Sequence, residues 1–306
     1  MVGHPNLNQQ SPQYKYEVGG AFVFDLSGED PVQTQTLLMD DPQPHSSFGD
    51  SVSISGDLLV VGAYSTTFED HQNAGSAYLY TRGTDGQFSQ AAQVMPENSK
   101  EDAYFGSSVA VSGEWVAVGA STEDITYGGS ERGDAGAVYL YKVGSTGTVT
   151  QTDRIVSPRW ETDGYAYNFG YRVKLSGSWL VVTSSNPNDV HLYKVSTEGK
   201  AQLIRSLPYN RSISSIDLDS DRLIVGMSSA SIDGFYNSGT VYVYQLYEDD
   251  RILLQEGLVH PDARRDDYFG RSVGISGQNI VVGVPNRDLD NYRWDAGGAV
   301  FFRASE

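Results

Sequence analysis

Apolar positions along this chain alternate with a period of two, and the alternating stretches recur. In Ser51–Ser55, Val52 and Ile54 share one face; in Ala77–Tyr80, Ala77 and Leu79 oppose Tyr78 and Tyr80. Alternation of this kind sets one face of a strand against a core. Beside these segments stand runs that are apolar throughout: Leu58–Val61, Trp115–Val118, Trp179–Val182, Leu223–Val225 and Ile280–Val282. Such runs predict strands buried on both faces. Short links such as Ser55-Gly56-Asp57 and Ser112-Gly113-Glu114 join the two kinds of strand. Glycine there supplies the positive φ of a tight hairpin. No stretch carries helical periodicity strong enough to build a domain.

The whole pattern repeats in one order: Phe-Gly, a β-type run, a short turn, an aliphatic run ending in Gly, a variable loop, then a Gly-small-aromatic alternation. Copies open at Phe48, Phe105, Phe169 and Phe269, and a further copy around Ser215–Met227 lacks the Phe-Gly. The closing alternations lie at Gly75–Tyr80, Gly136–Tyr141, Asp189–Tyr193, Gly239–Tyr244 and Gly298–Phe302. A spacing of about 50 residues fits a four-stranded propeller blade with its loops. Strands A (after Phe-Gly), B (aliphatic), C (Gly-small-aromatic) and D follow in each unit, the first D strand falling near Phe88–Met95. Met1–Asn6 reads as the end of a B strand by comparison with Val281–Asn286, Gly19–Phe24 as strand C and Val32–Met39 as strand D. The expected fold is therefore an all-β propeller of antiparallel four-stranded blades. It has six blade-equivalents, five with an inner strand; five or seven blades are the alternatives. The blades fall near residues 1–39 (partial), 48–95, 105–156, 169–206, 212–257 and 269–303 (partial). Together they read as one domain over residues 1–306, a fragment of a larger protein.

The Phe-Gly pairs, the segments Val61–Ala63, Val118–Ala120 and Val282–Pro285, and the Gly-Ala-Val-Tyr-type strands resemble the FG-GAP repeat family over nearly the whole chain. That family includes integrin α-subunit propellers and bacterial and protist surface proteins; the chain is most similar to its compact type. The resemblance implies an extracellular or cell-surface role in recognition or adhesion. Integrin-type blades often carry a calcium loop in the A–B hairpin, and the hairpins here are too short to wrap an ion. Fold alone does not assign function.

Composition narrows the partners. Net charge is −18, which repels nucleic acid and anionic lipid and attracts cations, calcium among them. Thirty-three glycines and twenty tyrosines suit short strands with tight turns. Cysteine is absent, so disulfides and thiolate chemistry are excluded. No 18-residue apolar run and no signal-peptide h-region is visible, so direct membrane insertion is not expected.

Variable sequence concentrates in the B–C and D–A loops, which are expected on the same rim. A constant scaffold with variable loops is how binding faces are built. The candidate ligand-binding residues are Trp160, Asp163, Tyr165, Tyr127, Phe235, Tyr236, Tyr292 and Trp294. Solvated loops with tyrosines packed between blades are the plainer reading. Asn286, Asp288 and Asp290 place oxygen donors at alternate positions, like the first half of a calcium loop; an acidic turn without metal is the competing reading. Glu101-Asp102 and Asp266-Asp267 precede Phe-Gly at matching positions and are expected to brace the D–A turn. Asn210-Arg211-Ser212 is a glycosylation sequon with Asn210 as acceptor. His4, His45, His71, His191 and His260 are scattered, and no hydrolase or phosphate-binding motif occurs, so the chain reads as no enzyme and no cofactor is certain. The expected function is recognition of a protein or glycan at a surface. A carbohydrate lyase or hydrolase on a propeller is one alternative; an assembly unit self-associating through incomplete end blades is another.

Overall fold

The structure is a computed structural model and describes residues 1–8, 17–97, 100–145, 147–162, 164–287 and 296–304. It is all-β, and its antiparallel sheets are the blades of a β-propeller. Two compact units divide the chain: Met1–Asn186 with Tyr193–Gln202, and Pro187–Leu192 with Leu203–Glu306.

In the first unit, blade 1 is the sheet β1 (Val2–His4), β2 (Gly20–Asp25) and β3 (Val32–Leu37). Blade 2 runs β4 (Val52–Ser55), β5 (Leu58–Ala63), β6 (Ser76–Arg82) and β7 (Phe88–Val94). Blade 3 contains β8 (Phe105–Ser112) and β9 (Trp115–Ala120), then a two-stranded ribbon, β10 (Ile125–Tyr127) and β11 (Ser130–Arg132), inserted before β12 (Ala137–Val143) and β13 (Val149–Val156). A single turn of helix, α1 (Arg159–Thr162), precedes β14 (Arg172–Ser176) and β15 (Trp179–Ser185). These two open blade 4, whose remaining strands, β16 (Asn188–Val195) and β17 (Ala201–Tyr209), are divided between the two units. In the second unit, blade 5 is β18 (Ser215–Asp219), β19 (Arg222–Met227), β20 (Thr240–Leu246) and β21 (Ile252–Leu258). Blade 6 is β22 (Val273–Ser276), β23 (Asn279–Val284) and β24 (Gly298–Arg303).

The apolar runs in β5, β9, β15 and β19 are buried along almost their whole length, whereas the run expected to be buried on both faces in β23 alternates, Val281 being only half-buried. In β5, Val60 joins Leu79 and Val118 in the layer between blades 2 and 3. Its neighbours Leu59 and Val61 join Phe48 and Val23 in the layer between blades 1 and 2. Both faces are dry, so period-two alternation disappears there and survives only in strands with one wetter face.

The Phe-Gly pair is the fastener between blades. Phe48, Phe105, Phe169 and Phe269 are all fully buried. Each donates its backbone N–H to the residue before the glycine that opens strand C of the preceding blade: to Val18, Ala74, Ala135 and Ser238 at 2.9–3.1 Å. The glycine that follows holds φ near +90°, a left-handed conformation open to glycine at no steric cost, and turns its carbonyl towards the preceding blade. There Ser51 Oγ donates to Gly106 O at 2.7 Å, Ser108 Oγ to Gly170 O at 2.7 Å and Ser215 Oγ to Gly270 O at 2.9 Å. In blades 1, 2, 3 and 5 a glycine of the B strand leaves room for that carbonyl: a Cβ on Gly119 would stand 2.2 Å from Gly170 O. The two halves of the repeat motif are thus the two sides of one interblade contact.

Blade 5 lacks Phe-Gly yet keeps half of this device. Ser214 N–H donates to Gly226 O at 2.8 Å, as Gly49 N–H does to Gly62 O at 2.9 Å, and Ile213 is buried just before it. β18 pairs with β19 without the register shift that lies between Phe105 and Ser108 in blade 3. A second interblade ladder links the inner strands, with Ser55 Oγ accepting from Gly113 N–H and Asp219 Oδ2 from Gly277 N–H.

Candidate functional site

The B–C loops are pinned at their bases. The glycine before strand C donates back into the loop: Gly75 N–H to Thr66 O, Gly136 N–H to Glu123 O and Gly239 N–H to Ala230 O, at 2.9–3.0 Å. The D–A loop of the next blade then clamps on. Asn73 Nδ2 donates to Asp102 Oδ1 at 2.7 Å, and Asn237 Nδ2 donates to Asp266 Oδ1 at 2.8 Å. The bond is matched on the backbone, where Tyr104 N–H reaches Asn73 O and Tyr268 N–H reaches Asn237 O. Asp102 and Asp266 brace these turns, and Asp267 does so from inside, accepting from Arg264 N–H and Arg287 Nη1.

Beyond those clamps the loop tips are exposed. Phe235 and Tyr236 are 45% and 56% exposed at the tip of the blade 5 B–C loop, with the Arg265 guanidinium 5.9 Å over the Tyr236 ring. Tyr165 is 49% exposed and Tyr127, on β10, is 38% exposed. Trp160 departs from the expectation of a ligand-facing side chain. It is buried among Ile125, Ala135 and Ala166, with Tyr127 6.4 Å away and the Arg132 guanidinium 5.8 Å over its ring. A large indole on α1 anchors the ribbon because it supplies the apolar area that a short insertion otherwise lacks. Asp163, Tyr292, Trp294, Asp288 and Asp290 lie outside the described residues. Asn286 is half-buried, and no group of three His, Asp or Glu suited to a metal occurs among the described residues. Asn210 is exposed. His191 is fully buried, and its Nδ1 meets Ser206 Oγ at 2.8 Å within its own blade.

The residues that sequence reasoning missed lie at the loop end of blade 3. A pocket of about 360 Å³ opens there, lined by Glu97, Lys100, Glu123, Thr126, Gln151 and Arg154. Its deep wall is a closed polar network. Tyr139 Oη donates to Glu123 Oε2 at 2.9 Å; Arg154 Nη2 and Nε donate to Glu123 Oε1 at 2.5 and 3.2 Å; Nε also reaches Tyr139 Oη at 3.1 Å. The Glu123 side chain is 6% exposed, so its charge is sheltered and fully paired. Burial and the Glu123 carboxylate push the Tyr139 phenol well above its ordinary pKa and keep it protonated as a donor. Burial works against the Arg154 charge, but Glu123 and Tyr139 outweigh it and hold the guanidinium above its usual value. Lys100 Nζ donates to Asp124 O at 2.7 Å on the rim.

Blades 2 and 5 carry no such charges at these places. Register equates Arg154 with Gln93 and Gly257, and Tyr139 with Tyr78 and Tyr242. Glu123 stands where Thr66 and Ala230 stand in blades 2 and 5. Superposing these three copies would have exposed the exception, since of the three blade 3 alone is ionic here.

Comparison with known proteins agrees with this architecture. The FG-GAP repeat family profile matches residues 31–80, 88–141 and 254–301. Among curated proteins none matches the chain. Among solved structures, a functionally unknown protein from Desulfotomaculum acetoxidans superposes with a TM-score of 0.55 at 13% identity, over 94% of this chain and 83% of that one. A protein from Lactobacillus plantarum superposes with a TM-score of 0.56 at 14% identity, over 93% of this chain and 77% of the other. At such identities the likeness is one of fold.

Proposed function

Because this chain is a β-propeller of FG-GAP repeats, we propose that it is a non-catalytic recognition module, holding a protein or glycan partner at a cell surface or outside the cell through its B–C and D–A loops. One observation carries the reading: loops locked at their bases by backbone and Asn–Asp bonds present exposed aromatic tips. A rigid base with an exposed aromatic end binds at low entropic cost, because the tip is held in place before the partner arrives. No helix is long and apolar enough to cross a membrane among the described residues. The acidic surface favours partners that are neutral or basic at the contact.

Capture of glycans and surface proteins on arrays, repeated with Phe235→Ala/Tyr236→Ala and with Tyr127→Ala/Tyr165→Ala, tests this. A partner whose affinity falls tenfold or more in either variant, with unchanged melting temperature, is the expected result. A partner bound equally by wild type and both variants overturns the role of the tips.

A further inference from the structure

We propose that the blade 3 pocket is a subsite for a neutral sugar ring of a glycan. The inference deepens the recognition reading, since the pocket lies between the B–C and D–A loops, at Glu123–Thr126 and at Pro96, Glu97 and Lys100. Its volume, about 360 Å³, sits within the ~300–1,000 Å³ range of small-molecule sites.

The chemistry of the wall selects the ligand. The Glu97 carboxylate, the Thr126 hydroxyl, the Gln151 amide and Arg154 Nη1 have no hydrogen-bond partner among the described residues. That set mixes pure acceptor, pure donor and groups that do both. A sugar hydroxyl both donates and accepts, and neighbouring hydroxyls on a ring present pairs that planar carboxylate, amide and guanidinium groups can bridge. Pro96, Ile125 and the body of Tyr139 add apolar surface for the C–H faces of such a ring.

Charge argues for neutrality. Lys100 and Arg154 stand against Glu97, Glu123 and Asp124 in the lining, within a chain of net charge −18. A carboxylated or sulfated sugar would add a negative charge to a site that is already slightly negative. A bare cation would meet the Lys100 ammonium and the Arg154 guanidinium. The Glu123–Arg154–Tyr139 network also fixes the guanidinium plane, so Nη1 is aimed without rotamer cost.

The test is an array of neutral, carboxylated and sulfated oligosaccharides, followed by calorimetric titration of the best binder. Glu97→Ala/Gln151→Ala is the pocket variant, chosen because both side chains are exposed and uncommitted and their removal leaves the fold intact. The expected result is binding of a neutral saccharide that weakens tenfold or more in the pocket variant. Its melting temperature stays unchanged, and Phe235→Ala/Tyr236→Ala binds the saccharide as wild type does. No saccharide bound, only charged saccharides bound, or equal binding by wild type and the pocket variant would each overturn the proposal. If the tip variants lose a protein partner while no saccharide binds, the recognition reading stands and the sugar subsite falls. A saccharide lost only in the pocket variant, with inert tips, supports the subsite and removes the tips from recognition.

Discussion

The carbonyl held between blades 3 and 4 makes Gly119→Ala a sharp test of how blades are joined. The added methyl would stand 2.2 Å from Gly170 O and 2.5 Å from Ser108 Oγ. Carbon and oxygen settle at about 3.3 Å or more, so the two blades must part locally by roughly 1 Å. Two losses follow. The buried Ser108 Oγ–Gly170 O bond, now 2.7 Å, is broken at a cost of about 1–3 kcal/mol. Overpacking the layer costs about 1–3 kcal/mol more. The total, about 2–6 kcal/mol, is a large part of the roughly 5–15 kcal/mol that holds a native protein together. The control is Gly113→Ala in the A–B turn, where a Cβ meets nothing within 4 Å and only φ +57° opposes it. Ser220 already holds φ +54° in the matching turn of blade 5, so the control should cost about 1 kcal/mol. Urea unfolding followed by tryptophan fluorescence reads both, with Trp115 and Trp179 lying in the two blades concerned. A Gly119→Ala cost no greater than that of Gly113→Ala would refute the account of the repeat as an interblade fastener.

Other consequences can be measured separately. Asn73 holds φ +51° while clamping Asp102, so Asn73→Ala should cost about 1 kcal/mol more than Asn73→Gly, which loses only the side-chain bond; thermal unfolding of the pair checks this. Glu123→Gln should destabilise the protein by about 1–3 kcal/mol, discounted because the Arg154 side chain is 38% exposed; an unchanged melting temperature would mean the network contributes nothing. Burial pushes Tyr78 up to about 12, and Tyr80, Tyr139, Tyr141, Tyr193 and Tyr209 are raised as well. Between pH 10 and 12 the unfolded chain releases these protons and the folded chain keeps them, so stability present below pH 10 is lost as pH rises, by about 1.4 kcal/mol per unit for each such tyrosine. Tyrosinate absorbance from the buried rings should therefore appear together with loss of the circular dichroism of the sheets; full ionisation with the sheets intact would contradict their burial.

What could be read from the chain is what each repeat encodes locally. Alternation marks the strands, the doubly apolar runs mark their burial between neighbours, and Phe-Gly marks where one blade meets the last. These signals are short in sequence and written several times, so each copy corroborates the others. Even the bracing role of Asp102 and Asp266 was visible, because they precede Phe-Gly at the same offset. Trp160 was misread because an aromatic in a loop has the same sequence signature whether it faces solvent or anchors an inserted ribbon. Glu123, Tyr139 and Arg154 come from a loop and two different strands and meet only across the C–D register and the closure of the B–C loop. Local periodicity carries no record of such a meeting, since a buried charge is stabilised by partners that tertiary packing alone brings within hydrogen-bond reach.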